Sequence, residues 1–275
     1  MASEFELIER HFTRTARRAR LGVGDDCALF AGPAGHETVV TTDLLASGTH
    51  FLADTDPRRL GHKALAVNLS DLAAMGATPR YFLLALALPE ARTEWIEPFA
   101  AGMFALAERH GVELIGGDTT RGALTICITA IGEVPDGQAI RRDGAASGDD
   151  VWVSGTLGDA ALGLLALRGE AMLDGAERAF CVGRLESPEP RVDLGLALRG
   201  VATSMVDLSD GLAGDLAHIA RRSGLSARLN ADALPFSFAV LGQGRERRLR
   251  CALAGGDDYE LCFTAPVDAR DLVIA

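Results

Sequence analysis

Lysine is almost missing from this chain: Lys63, in G-H-K-A, is the only one in 275 residues. A Walker loop needs lysine in G-K-[ST], so a P-loop nucleotide site is excluded. No G-x-G-x-x-G follows a strand pattern, which removes the usual dinucleotide fingerprint. The absence of G-x-S-x-G and H-E-x-x-H argues against a serine hydrolase or a zinc protease. The longest apolar runs, such as Y81–L88, fall well short of a bilayer span. The opening M-A-S-E-F-E-L-I-E-R has no basic start followed by an apolar middle, so no signal peptide is expected. The five cysteines are odd in number and never in C-x-x-C, which argues against a disulfide framework or zinc site and predicts a reducing, cytoplasmic setting. The net charge of −11 disfavours nonspecific nucleic-acid binding. It would repel a small phosphorylated substrate too, unless cations intervene.

The length suits two domains. Hydrophobic residues make up 48% of the chain and charged residues 24%, which is ordinary for a globular protein. Apolar spacing predicts a helix over Glu4 to Thr15, and T38-V-V-T-T-D43 reads as a strand ending in aspartate. Asp56 then Pro57 is a helix start, with an apolar pattern running on to Gly76. Y81–L88 reads as a buried strand, Glu94 to His110 as a helix stopped by Gly111, and L124–I131 as a strand. The texture changes at S147-G-D-D-V-W-V-S-G155, which places a boundary near Gly148, between domains 1–147 and 148–275. M205–A220 runs from strand through turn to helix. This order of elements predicts an α+β fold of two domains.

What stands out is a set of aspartates at the ends of predicted elements. Asp25 and Asp26 follow two glycines in G22-V-G-D-D-C-A-L-F30, a stretch that alone would be read as an exposed turn. Asp43 follows T-T, Asp118 lies in G-G-D-T-T, and Asp207 and Asp210 lie in D-L-S-D-G-L. Asp71 sits late in an apolar helix, where an acid opposes the helix dipole, with Asn68 one turn earlier. That pair has a plain alternative as a solvated helix face. Converging carboxylates would destabilise one another without compensation. Hard oxygen ligands of this kind suit Mg²⁺, which binds through carboxylates together with substrate phosphates. Cations gathered in this way would let an acidic protein hold polyphosphate.

G-V-G-D-D-C-A-L, T-T-D-L-L-A-S-G-T-H-F, K-A-L-A-V-N-L-S-D-L-A-A-M-G-A, I-G-G-D-T-T-R-G, D-L-S-D-G-L and G-G-D-D-Y-E-L-C-F occur here in this order. Together, from about Glu4 to Phe263, they resemble the thiamine-monophosphate kinase family, within the aminoimidazole ribonucleotide synthetase-like superfamily, which uses ATP without a P-loop. The resemblance implies phosphorylation of thiamine monophosphate to thiamine diphosphate by ATP. It implies several Mg²⁺ ions held by Asp26, Thr41, Thr42, Asp43, Asp71, Asp118, Asp207 and Asp210. Gly117, Asp118, Arg142 and Ser209 are implied along the ATP, and His50 at the thiamine phosphate. The family usually has G-G-E-D-Y-E-L near its end, with the first acid on the substrate; Asp257 stands there, one methylene shorter. The family's final segment lies beyond Ala275. Tyr259 is read equally as a partner for the thiamine ring or as a core residue. No general base or nucleophile is implied, because the acceptor is an ionised phosphate oxygen. The resemblance further implies a homodimer whose N-terminal sheets pair, with the C-terminal α+β layer covering the cleft. A sister enzyme acting on another acceptor, or a silent Mg·nucleotide-binding module, are the rival readings.

Overall fold

The computed structural model describes residues 8–13, 17 and 32–274. The glycine–aspartate stretch with Asp25 and Asp26 lies outside these residues, as does most of the helix expected over Glu4 to Thr15, of which Ile8–Phe12 is a short π-helical turn. The chain divides into two compact units. One runs up to Leu72 and from Ala77 to Gly137, and the other takes Ala73–Gly76 and everything from Gln138.

The first unit is a four-stranded mixed sheet with two long helices. Its strands are β1 (His36–Ala46), β2 (Thr78–Leu88), β3 (Glu113–Arg121) and β4 (Thr125–Pro135), in the order β1-β4-β2-β3. β4 runs antiparallel to β1 and β2, and β2 pairs parallel with β3. A parallel pair needs a crossover, which α2 (Thr93–His110) supplies, ending on Gly111 in the left-handed region as the sequence predicts. α1 (Pro57–Ala74) starts as expected: the Asp56 carboxylate accepts from the Arg59 N–H at 3.1 Å, and proline takes the first helical position. Leu60, Leu65, Leu69 and Leu72 of α1 are fully buried, as are Phe99 and Met103 of α2 and Leu86 and Ile126 of the sheet.

β1 alternates in burial from Thr38 to Leu45. Val39, Thr41 and Asp43 are partly buried while Val40, Thr42 and Leu44 are exposed. Asp43 and Asp118 were expected at strand ends, yet each lies within its strand, because the ladders continue past them to Ala46 and Arg121.

The second unit is also α+β. Its antiparallel sheet has the order β5-β7-β6, from β5 (Asp150–Val153), β6 (Ser204–Asp207) and β7 (Leu261–Ala265). Around it lie α3 (Asp159–Leu167), α4 (Gly175–Glu186), α5 (Val192–Ala197), α6 (Leu212–Arg222), α7 (Phe238–Leu241), α8 (Arg245–Ala254) and α9 (Arg270–Ile274). One core joins Leu157, Val206, Leu208, Leu212, Leu216 and Ile219, and another joins Leu162, Cys181, Val240 and Cys251. Burial pushes the Cys181 and Cys262 thiols up to about 12, so they pack as inert apolar groups.

Candidate active site

In the first unit the alternation of β1 puts Thr41 and Asp43 on one face, where they meet Asp71 of α1. The Thr41 hydroxyl donates to Asp71 Oδ2, and the Asp43 and Asp71 carboxyl groups are hydrogen-bonded to each other. Burial, then the charge of Asp71 and the shared hydrogen bond, push Asp43 up to about 6. Asp71 is therefore no solvated helix residue. Two carboxyl groups and a hydroxyl present hard oxygens; the two carboxylates repel one another when both are ionised, and a divalent cation would relieve that repulsion. In this respect the site fits Mg²⁺. Among the described residues, no three His, Cys, Asp or Glu side chains cluster with metal-holding geometry, so substrate oxygens or water would complete any such site.

Thr42 does not join this group. Its hydroxyl lies on the opposite face, 3.1 Å from the Ile128 carbonyl and 3.0 Å from the Thr129 hydroxyl, so only its main chain can serve alongside Asp43. His50 follows β1 in the turn 47–50, which the sequence shows as irregular. The Ala46 N–H donates to its Nδ1 at 3.0 Å, which fixes the neutral tautomer and leaves Nε2–H as a donor. The single lysine is buried beneath this turn, with Nζ 3.4 Å from the His50 carbonyl. Gly117 and Asp118 lie on edge strand β3, opposite Leu84 and Ala85, with Asp118 exposed.

In the second unit, buried Asp207 ends β6, followed by half-buried Ser209 and exposed Asp210. The segment G255-G-D-D-Y-E260 lies against this turn: Asp257 N–H donates to the Ser209 carbonyl at 2.9 Å, and Tyr259 N–H to that of Leu208 at 2.8 Å. A Cβ on Gly256 would come within 2.3 Å of the Ser209 carbonyl, so the two turns touch only because glycine stands there. Tyr259 is buried, as its core reading requires, and its hydroxyl donates to Asp257 Oδ1 at 3.1 Å. Arg142 is exposed, with its carbonyl held by Ser223 Oγ at 3.1 Å.

Three participants were missed from the sequence. Asp215, in the first turn of α6, is buried and accepts from the Asp210 N–H at 3.1 Å, holding the turn from behind. The acid spaced just inside a helix start was a usable signal. Asp258 and Glu260 face inward and are engaged, Asp258 by the Gly158 N–H at 2.8 Å and Glu260 by arginines. Nothing in local spacing marks which acids of this segment point inward.

Burial and the nearby Asp159 raise Asp258 to about 7, against the lowering effect of the Gly158 and Ala160 N–H groups and Arg184. Between about pH 4 and 7 the folded chain therefore holds more protons at Asp258 than the unfolded one. Stability from this group is present at the acidic end, falls as pH rises through the window, and levels off above it. Asp258→Asn should flatten that decline in urea-unfolding midpoints measured across the window.

The profile described as AIR synthase related protein, N-terminal domain, matches residues 24–134, and its C-terminal counterpart matches residues 146–266. The two-unit α+β chain is thus an AIR synthase related protein. Within that class, a curated thiamine-monophosphate kinase from Salmonella typhimurium is 48% identical over 269 residues, covering 96% of this chain and 82% of the relative. A crystal structure of thiamine-monophosphate kinase from Stenotrophomonas maltophilia is 53% identical with a TM-score of 0.88, covering 94% of this chain and 84% of that one. AaThiL, solved in complex with AMPPCP and TMP, is 33% identical with a TM-score of 0.80, covering 86% of this chain and 78% of that one. This chain belongs to the thiamine-monophosphate kinase family.

Proposed function

We infer that this chain catalyses ATP-dependent phosphorylation of thiamine monophosphate to thiamine diphosphate. The observation that carries the reading is 48% identity over 96% of the chain to a curated enzyme of that activity. The relative solved with AMPPCP and TMP supports ATP and thiamine monophosphate as the two substrates.

The attacking group is a phosphate oxygen already ionised at neutral pH, so no side chain need act as general base. The barrier is the approach of two anions and the alignment of the attacking oxygen with the γ-phosphorus, a matter of positioning and charge. Transfer is therefore direct, without a phosphorylated protein. We assign Asp26, Thr41, Asp43, Asp71, Asp118, Asp207 and Asp210, with the Thr42 main chain, to holding Mg²⁺. Bound there, Mg²⁺ supplies charge neutralisation and a template for phosphate oxygens. Gly117, Asp118, Arg142 and Ser209 lie along the nucleotide. His50 donates Nε2–H to the acceptor's phosphate, and Asp257 attracts the thiazolium cation.

ADP formation that requires thiamine monophosphate and a divalent cation tests the activity. Asp257→Ala should raise KM for thiamine monophosphate much more than KM for ATP, with a smaller change in kcat. A change confined to ATP would move the segment to the nucleotide side.

We also propose a homodimer built on the open face of the first unit's sheet, where Val40 and Leu44 are 60% and 55% exposed. Large apolar side chains left exposed together on one face mark a surface for association. Sedimentation at micromolar concentration should give the mass of two chains; a fully active single-chain species would rule out the pairing. No helix among the described residues is long and apolar enough to cross a membrane. Cys127, Cys181, Cys251 and Cys262 are all free thiols, which supports a cytoplasmic setting.

A further inference from the structure

Asp257 and Tyr259, with φ of 68° and 49°, are the non-glycine residues with left-handed backbone among those described. Side-chain-bearing residues seldom adopt that region, and they persist there only when the surroundings over-determine them. What over-determines them here is centred on Glu260, whose side chain is fully buried. Its Oε1 accepts from Arg184 Nη2 and Arg191 Nη2, each at 2.6 Å, and its Oε2 from Arg191 Nε at 2.7 Å and Ser154 Oγ at 2.5 Å. Ser154 Oγ also accepts from the Leu261 N–H at 2.9 Å, Arg184 donates to the Asp258 carbonyl at 3.1 Å, and the Glu260 carbonyl accepts from the Leu208 N–H at 2.8 Å. Gly155 leaves room for this carboxylate, since a Cβ there would lie 2.3 Å from Oε1.

A buried ion pair is seldom the most stable filling for such a space; well-packed apolar side chains often do as well. What the arginine fork adds is direction, because a bidentate pair fixes both position and plane. We propose that Glu260, gripped by Arg184 and Arg191, is a positioning element that locks Asp257 and Tyr259 in their left-handed backbone conformation and so aims the Asp257 carboxylate at the cationic ring of the acceptor. This rests on the assignment of Asp257 to the acceptor given above. In this proposal the three clamp residues act through the backbone of Asp257 and Tyr259 rather than by contact with substrate.

The test uses Arg191→Lys, which keeps the charge and loses the fork, beside Glu260→Gln, in the full chain. Binding of thiamine monophosphate is measured by calorimetry without ATP, KM and kcat for both substrates well below each variant's Tm, and amide exchange over residues 255–261. We expect Kd and KM for thiamine monophosphate to rise about tenfold, in line with the sensitivity of such sites to small displacements. KM for ATP should be unmoved, and the Asp257 and Tyr259 amides should exchange faster. A folded Arg191→Lys with wild-type Kd and KM would overturn the proposal and leave the clamp as support for the fold. Equal losses for ATP and thiamine monophosphate would overturn it too. Should Glu260→Gln not fold, Arg191→Lys decides alone, because Arg191 is partly exposed and keeps its charge. Failure of the wild-type protein to bind or turn over thiamine monophosphate would instead sink the functional reading.

Discussion

Asp71→Asn should leave a folded protein with kcat/KM lower by about 100-fold or more and a raised Mg²⁺ requirement. The size follows from the assignment of Asp71 to Mg²⁺ proposed above: losing a group that only supports a metal ligand already costs about 10- to 100-fold, so a residue assigned as a direct ligand belongs at or beyond the upper end. Folding should survive because asparagine keeps the shape and can still accept from the Thr41 hydroxyl. The substitution also removes the negative charge and hydrogen bond that help hold Asp43 up at about 6, so Asp43 should ionise more readily in the variant. Initial rates titrated with Mg²⁺, together with a thermal melt, check both halves of the expectation. Unchanged rate and Mg²⁺ dependence would return Asp71 to a packing role.

Glu260→Gln should cost about 3 kcal/mol of stability, the lower end of the range for breaking a buried ion pair. Glutamine offers one acceptor oxygen where two arginines and a serine supply four donor contacts, and its amide nitrogen would face donors. The lower end applies because the Arg191 side chain is 32% exposed and can recover hydration, while Arg184 at 15% has less freedom to do so. The loss should appear as a lower urea midpoint with an unchanged slope. A loss well under about 1 kcal/mol, the scale of an exposed pair, would mean that both arginines turn out to solvent, leaving the clamp with little hold on the segment.

Much of the architecture was legible in local signals. Asp56–Pro57 and Gly111 mark helix ends by chemistry acting within a turn or two, and β1 shows its two faces through period-two burial. The aspartates were also visible individually, because an acid late in an apolar helix or beside glycines departs from what packing alone would place there. The order of these motifs along the chain was enough to draw the family resemblance.

Their partnerships were not legible. That Asp71 meets Thr41 and Asp43 depends on how α1 lies across β1, and that Thr42 turns away depends on a strand that continues past Asp43 to Ala46. In G-G-D-D-Y-E, three acids look alike as a sequence. Only long-range hydrogen bonds decide that Asp258 and Glu260 face inward, to Gly158 and to two arginines, while Asp257 stays half-buried under the Tyr259 hydroxyl. The sequence by itself determined which residues could carry the chemistry and in which elements they lie, because propensity, capping and periodicity act over a few residues. The tertiary structure alone decided which carboxylates are left for a ligand, because burial and ion pairing are set by groups far apart in the chain.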